Sequence, residues 1–100
     1  MGEYVLSNKA ADDLDGIYVY SFQAFGEVQA DAYFNSLSDC LQSLADNPSL
    51  GHAVPDLHEG LHCHHHARHL VFYLTELGGV FIVRILHDAM DAKRHIANEG

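Results

Sequence analysis

One hundred residues, 48% of them hydrophobic and with five tyrosines and five phenylalanines, suit a single domain with one compact core, spanning residues 1–100. Five Lys plus Arg face fourteen Asp plus Glu, a formal net charge of −9 with nine histidines neutral. That excludes extensive direct nucleic-acid binding, which draws its affinity from many cationic contacts to phosphate. The longest apolar-rich run, "GGVFIVRIL" at residues 78–86, contains Arg84 and is too short to cross a bilayer. No basic, apolar leader opens the chain, so the expectation is a cytoplasmic protein whose two cysteines, Cys40 and Cys63, stay reduced.

In chain order, "EYVLS" (residues 3–7) predicts a short strand with Tyr4 and Leu6 on one face. Ser7 is placed to cap a helix, because its hydroxyl can accept an amide hydrogen bond of the first turn. Asp12, Asp13 and Asp15 add negative charge toward the positive end of that helix. The helix is predicted over about Asn8 to Phe25, with Leu14, Ile17, Tyr18 and Phe25 at helical spacing and Phe22 beside them. Gly26 ends it. A second helix follows from about Glu27 to Ala45, with a stripe of Ala30, Tyr33, Phe34, Leu37, Leu41 and Leu44, and with Cys40 in the core. "DNP" at residues 46–48 stops it. Two helices joined by a glycine read as an antiparallel hairpin, and both stripes need a sheet to pack on. The aromatic set Tyr18, Phe22, Phe25 and Tyr33 is expected mostly in the core. Any part left uncovered would form a groove for an amphipathic partner helix.

Residues 48–60 read as a loop. Three strands are predicted beyond it, over about Leu61 to His66, Arg68 to Thr75 and Val80 to Leu86, with turn chemistry in "ELGG" at residues 76–79. The order β-α-α-β-β-β predicts an α+β domain with a helical hairpin on one face of an antiparallel sheet. The polar tail predicts one short helix around Ala89 to His95, with Asp88 as its cap.

The densest chemistry lies in "GLHCHHHARHLVFY", residues 60–73, which holds five of the nine histidines. On a strand His62, His64 and His66 share one face, and Cys63 and His65 share the other. Residues two apart sit about 6.6 Å apart, so an H-x-H pair could bite zinc. A structural zinc site draws its ligands from separated segments, and this run is a single segment. The expectation is therefore no metal and no cofactor, with His62, His64 and His66 the only weak candidates. Cys63 is not expected to be a nucleophile, because its base would have to stand across a cleft while its neighbours point to opposite faces. No catalytic residue is assigned.

The segments "YVLSNKAADDLDGIYVYSFQAFGEVQADAYFNSL", "NPSLG", "HLVFYL" and "VFIVRILHDAMDAKRHI", in that order, resemble the ParE toxins of bacterial ParDE toxin–antitoxin modules, within the ParE/RelE superfamily. The resemblance runs from about residue 3 to 96. It implies a helical hairpin against a curved antiparallel sheet, a type II toxin neutralised by a ParD-like antitoxin, and inhibition of DNA gyrase by protein binding rather than by catalysis. Family toxicity is associated with the C-terminal strand and tail, where the matching positions are Arg84, His87, Met90, Asp91, Lys93, Arg94 and His95. The antitoxin segment is expected across the hairpin and sheet, with Tyr18, Phe22, Phe25 and Tyr33 as candidate contacts. Two alternatives remain: a ribosome-dependent mRNA ribonuclease of the RelE type, or a non-toxic binding protein of the same fold. A ribonuclease needs a base, an acid and cationic stabilisation of phosphate. Arg68, Arg84 and His87 are the minimal set available, no lysine lies between Lys9 and Lys93, and the last tyrosine is Tyr73.

Overall fold

The computed structural model describes residues 2–96. Strand β1 (Glu3–Leu6) leads through Ser7 into α1 (Asn8–Phe25), then α2 (Glu27–Asp46) and a 3-10 turn (Pro48–Leu50). Strands β2 (His52–Ala53), β3 (Leu61–His66), β4 (His69–Glu76) and β5 (Gly79–His87) follow, and α3 (Ala92–Ile96) ends the described chain. The last four residues of the polar tail lie outside the described residues. Ser7 Oγ accepts from Ala10 N–H at 2.9 Å, the cap its position predicts. Gly26, at φ 92°, both closes α1 and opens α2, a backbone angle that suits glycine and lets the two helices meet with no further linker.

The sheet order is β1-β5-β4-β3-β2. Neighbours from β2 through β5 pair antiparallel, but β1 runs parallel to β5, from Glu3 opposite Gly79 to Leu6 opposite Ile82. The expected antiparallel sheet is therefore present from β2 to β5, and β1 joins it in parallel, making the whole sheet mixed. A strand that enters the hairpin at Ser7 must finish where α1 can cross the sheet. That end lies beside Ile82, whose carbonyl accepts the Ser7 N–H at 2.9 Å.

Two apolar layers sandwich the sheet. Under the helices Leu14, Leu37, Leu41 and Leu44 meet Val71, Tyr73, Val80, Ile82 and Ile85, with Tyr4 and Leu6 of β1 at the margin. On the opposite face Leu61, Cys63, Phe72 and Leu86 are covered by Ile96, Val54 and Leu57. The loop expected over residues 48–60 is thus partly ordered structure. Tyr73, fully buried, donates its hydroxyl to Pro48 O (2.7 Å) and accepts from Gly51 N–H (2.9 Å). A side chain on Gly51 would collide with that hydroxyl and with the Cys63 carbonyl. "NPSLG" is therefore the clasp that ties the hairpin exit to the sheet.

β5 departs from plain alternation. Phe72 faces Arg84 and Tyr73 faces Ile82, so Val83 is an extra residue, a bulge that shifts the side-chain period. Ile82 and Ile85 consequently both point toward the helices, and Val83 and Leu86 both serve the other face. Past Ile82 the outer edge of β5 has no β1 residue to pair with, and side chains of Ser7 and α1 satisfy it. Ser7 Oγ donates to Val83 O (2.7 Å), and Asp13 Oδ2 accepts from Ile85 N–H (3.0 Å). Asp13 also takes Arg84 Nε (2.8 Å) and Nη2 (2.9 Å), a bidentate pair with side chains only 15% and 13% exposed. The helix-dipole role read for the early aspartates gives way to this one, since the first turn of α1 holds no acidic residue.

Three further expectations are corrected. The terminal helix begins at Ala92 rather than Ala89, and its first turn closes on the Asp91 carbonyl, which accepts from Arg94 and His95 N–H. Asp88 does not cap it. Its N–H donates to Arg68 O at 2.8 Å, and its carboxylate lies 3.4 Å from His65 and 3.3 Å from His87. Phe22 and Phe25, read as core, are 48% and 63% exposed. Successive helical residues turn by about 100°, so with Ala10, Leu14 and Ser21 facing inward, Phe22 falls on the flank.

Asp13→Ala should lower the unfolding free energy by on the order of 3 kcal/mol, the scale for removing one partner of a buried pair. Asp13→Asn should cost less, because its amide oxygen can still accept from Ile85. Urea titrations showing both losses below about 1 kcal/mol, the range of exposed ion pairs, would contradict the assignment.

Candidate functional site

The candidate target-binding residues separate into three groups. Arg84 is turned toward α1 and held by Asp13, so its guanidinium serves the fold. Met90, Asp91, Lys93 and Arg94 all lie exposed on the segment that follows β5. Met90 is 40% exposed, an unbranched, polarizable side chain suited to protein contact. His87 and His95 are half-buried. Ile96, buried on the far face of the sheet, anchors the end of this segment. The result is a short, polar surface with cations in the last turn of α3, fixed at both ends: Asp88 N–H on the Arg68 carbonyl and Ile96 in the core.

The candidate antitoxin contacts also separate. Tyr33 packs on the core and donates or accepts at His69 Nδ1, 2.6 Å away. Tyr18, Phe22 and Phe25 lie instead toward the end of the hairpin, where Val19 and Val28 are also exposed. Sequence reading missed Val19, Asp15, Asp31 and Phe34 as members of this surface. The signal was available: Asp15, Tyr18, Val19 and Phe22 recur at three- and four-residue intervals, a helix face of their own.

The histidine run alternates as a strand should. His62, His64 and His66 face the helices, while Cys63 is buried on the opposite side. His62 stacks on the Tyr73 ring with centroids 5.5 Å apart, and His66 Nε2 reaches Ser36 Oγ at 2.9 Å. Their partners thus draw them along the strand rather than together. Among the described residues no three His, Cys, Asp or Glu side chains are grouped to hold a metal ion. Burial pushes the Cys63 thiol up to about 11, so it stays protonated at neutral pH and is a poor nucleophile. At the far end of β3 and β4, His69 meets His87 edge-on at 5.4 Å while bonding Tyr33. Ala89 N–H lies 3.0 Å from His87 Nδ1, and the Asp88 carboxylate lies 3.3 Å from the same nitrogen.

The sequence and the fold both have counterparts. Residues 4–92 match the model of the ParE toxin of type II toxin–antitoxin system, parDE. The chain belongs to the ParE toxin family. It is 35% identical over 96 residues to Toxin ParE1 of Caulobacter vibrioides, covering 96% of this chain and 99% of that one. It is 31% identical over 94 residues to Toxin ParE1 of Mycobacterium tuberculosis, covering 93% and 96%. A solved chain described as "Chromosomal ParDE TA system from P. aeruginosa" superimposes with TM-score 0.72 at 20% identity, over 87% of this chain and 96% of that one. At that identity the superposition carries the fold alone. No helix among the described residues is long and apolar enough to cross a membrane.

His66 and His69 give this ParE-family protein a pH-dependent stability. Burial lowers both pKa values first, and neighbouring imidazoles lower them further: His64 and His65 for His66, His87 and His66 for His69, with Asp88 opposing at His69. The unfolded chain therefore takes up protons before the folded one does. The stability these side chains contribute is full above the ordinary value of 6.5 and falls as pH drops below it toward the folded values. The urea midpoint should decrease from pH 7.5 to 5.5, and the decrease should shrink in His66→Gln/His69→Gln. Identical pH profiles for the two proteins would refute this.

Proposed function

We propose that the protein is a cytoplasmic toxin that inhibits DNA gyrase by binding it, and that a ParD-like antitoxin neutralises it. The observation that carries the reading is the match of the ParE toxin family over residues 4–92, joined to a C-terminal segment that exposes Met90, Asp91, Lys93 and Arg94. The Caulobacter and Mycobacterium relatives are named as toxins, and the solved neighbour is part of a ParDE system, which supports an antitoxin of ParD type.

The geometry favours a binder over a catalyst. Of the minimal ribonuclease set, Arg84 already spends its Nε and one Nη on Asp13, so stabilising a phosphate would break a part-buried bidentate pair. His87 Nδ1 is engaged by the Ala89 amide, and Arg68 sits in the β3–β4 turn. A protein inhibitor asks less of its side chains: shape, an apolar contact such as Met90, and charges that set approach and register.

Purified protein is expected to block supercoiling by gyrase and to accumulate cleaved DNA, and preincubation with a ParD-like antitoxin should restore supercoiling. Undisturbed supercoiling at excess protein would sink the gyrase reading. Cleavage of messenger at the ribosomal A site, abolished in Arg84→Lys although the fold survives, would support the ribonuclease in its place.

A further inference from the structure

The outer side of the helical hairpin holds an open cleft of ≈ 470 Å³ lined by Asp15, Tyr18, Val19, Asp31 and Phe34. Its floor is aromatic: Tyr18 meets Phe34 edge-on at 5.9 Å and lies 6.3 Å from Phe22. Its rim is anionic. Asp31 Oδ1 accepts the Tyr18 hydroxyl at 2.6 Å, and that bond, followed by desolvation and the charges of Asp31 and Glu27, raises the phenol's pKa. Across residues 8–46 the only lysine or arginine is Lys9. It lines a different cleft, with Ser7, His58 and Ile96. An apolar floor between carboxylates, on a hairpin with so little positive charge, complements one kind of segment.

We propose that this cleft seats a cationic amphipathic helix of a partner protein. Apolar side chains spaced i, i+3 or i+4, and i+7 enter over Tyr18, Val19 and Phe34, and flanking lysines or arginines meet Asp15, Glu27 and Asp31. The inference rests on the reading that an antitoxin segment covers the hairpin, and adds the sign of charge that segment carries there. The apolar floor supplies contact area, and the rim supplies discrimination, because an acidic helix with the same apolar stripe brings like charges together.

Two synthetic helical peptides test this, sharing one leucine stripe and flanked by lysines in one and by glutamates in the other. Fluorescence anisotropy with the full-length protein at low salt should show the lysine peptide binding at least about tenfold more tightly, a difference that shrinks as salt screens the rim. Asp15→Asn/Glu27→Gln/Asp31→Asn should keep binding both peptides and lose the preference. Equal binding by the unaltered protein, a preference that survives the triple substitution, or binding of neither peptide would overturn the proposal. So would a dimer of this chain that excludes the lysine peptide. The cognate antitoxin separates the two levels. Equal affinity for the unaltered and triple-substituted proteins would overturn the charge inference and leave neutralisation standing, whereas no binding to the unaltered protein would remove both.

Discussion

The first helix, the free edge of β5 and the Arg84 guanidinium are tied together by one carboxylate. Asp13 of α1 receives the Arg84 guanidinium through Nε and Nη2 and accepts the Ile85 amide as well, three charge-assisted bonds converging on a part-buried group. They fall where β1 has ended, so the bare edge of β5 would otherwise face the helix with unsatisfied backbone groups. The bulge at Val83 belongs to the same solution. It shifts the alternation, so that Ile82 and Ile85 both fill the layer under the helices, and Leu86 faces the opposite side. Fixing α1 on β5 in this way fixes the hairpin on the sheet, and fixes the direction in which the chain leaves β5 for the tail.

Two working surfaces result, and they differ in character. The tail is short, polar and tethered, with Asp88 bonded to the Arg68 carbonyl and Ile96 sunk into the second apolar layer. The hairpin end is broad and apolar, with Phe22, Phe25, Val19 and Val28 beyond the reach of the sheet. On the proposed reading, in which one protein holds the toxin and another is its target, neither surface need be spent on the other's partner. Between them lies the histidine-rich end of β3 and β4, where Tyr33 and Ser36 of α2 meet His69 and His66. Imidazoles held neutral there make the hairpin–sheet contact sensitive to mild acid.

Local chemistry made much of this legible. Ser7, Gly26 and "DNP" set the hairpin boundaries because capping and helix termination depend on adjacent residues alone. The four predicted strands fell within a residue of their observed bounds because alternation and turn glycines are equally local, whereas the two-residue β2 lay in the stretch read as a loop. What stayed hidden depends on distant partners. Asp13 and Arg84 are 71 residues apart, and nothing in either neighbourhood announces the pair. The parallel pairing of β1, the bulge at Val83 and the exposure of Phe22 and Phe25 follow from how far the sheet extends beneath the hairpin, which periodicity does not encode. The tail was legible as polar, but not its tether, because Ile96 looks isolated until the second layer on the far face is seen.

The division of labour between tail and hairpin is tested most directly by hydrogen–deuterium exchange on the protein bound to gyrase and, separately, to its antitoxin. Gyrase should slow exchange at residues 88–96 and leave residues 15–34 as they are in the free protein, and the antitoxin should slow exchange at residues 15–34. Slowed exchange at residues 15–34 on binding gyrase, with residues 88–96 unaffected, would contradict it.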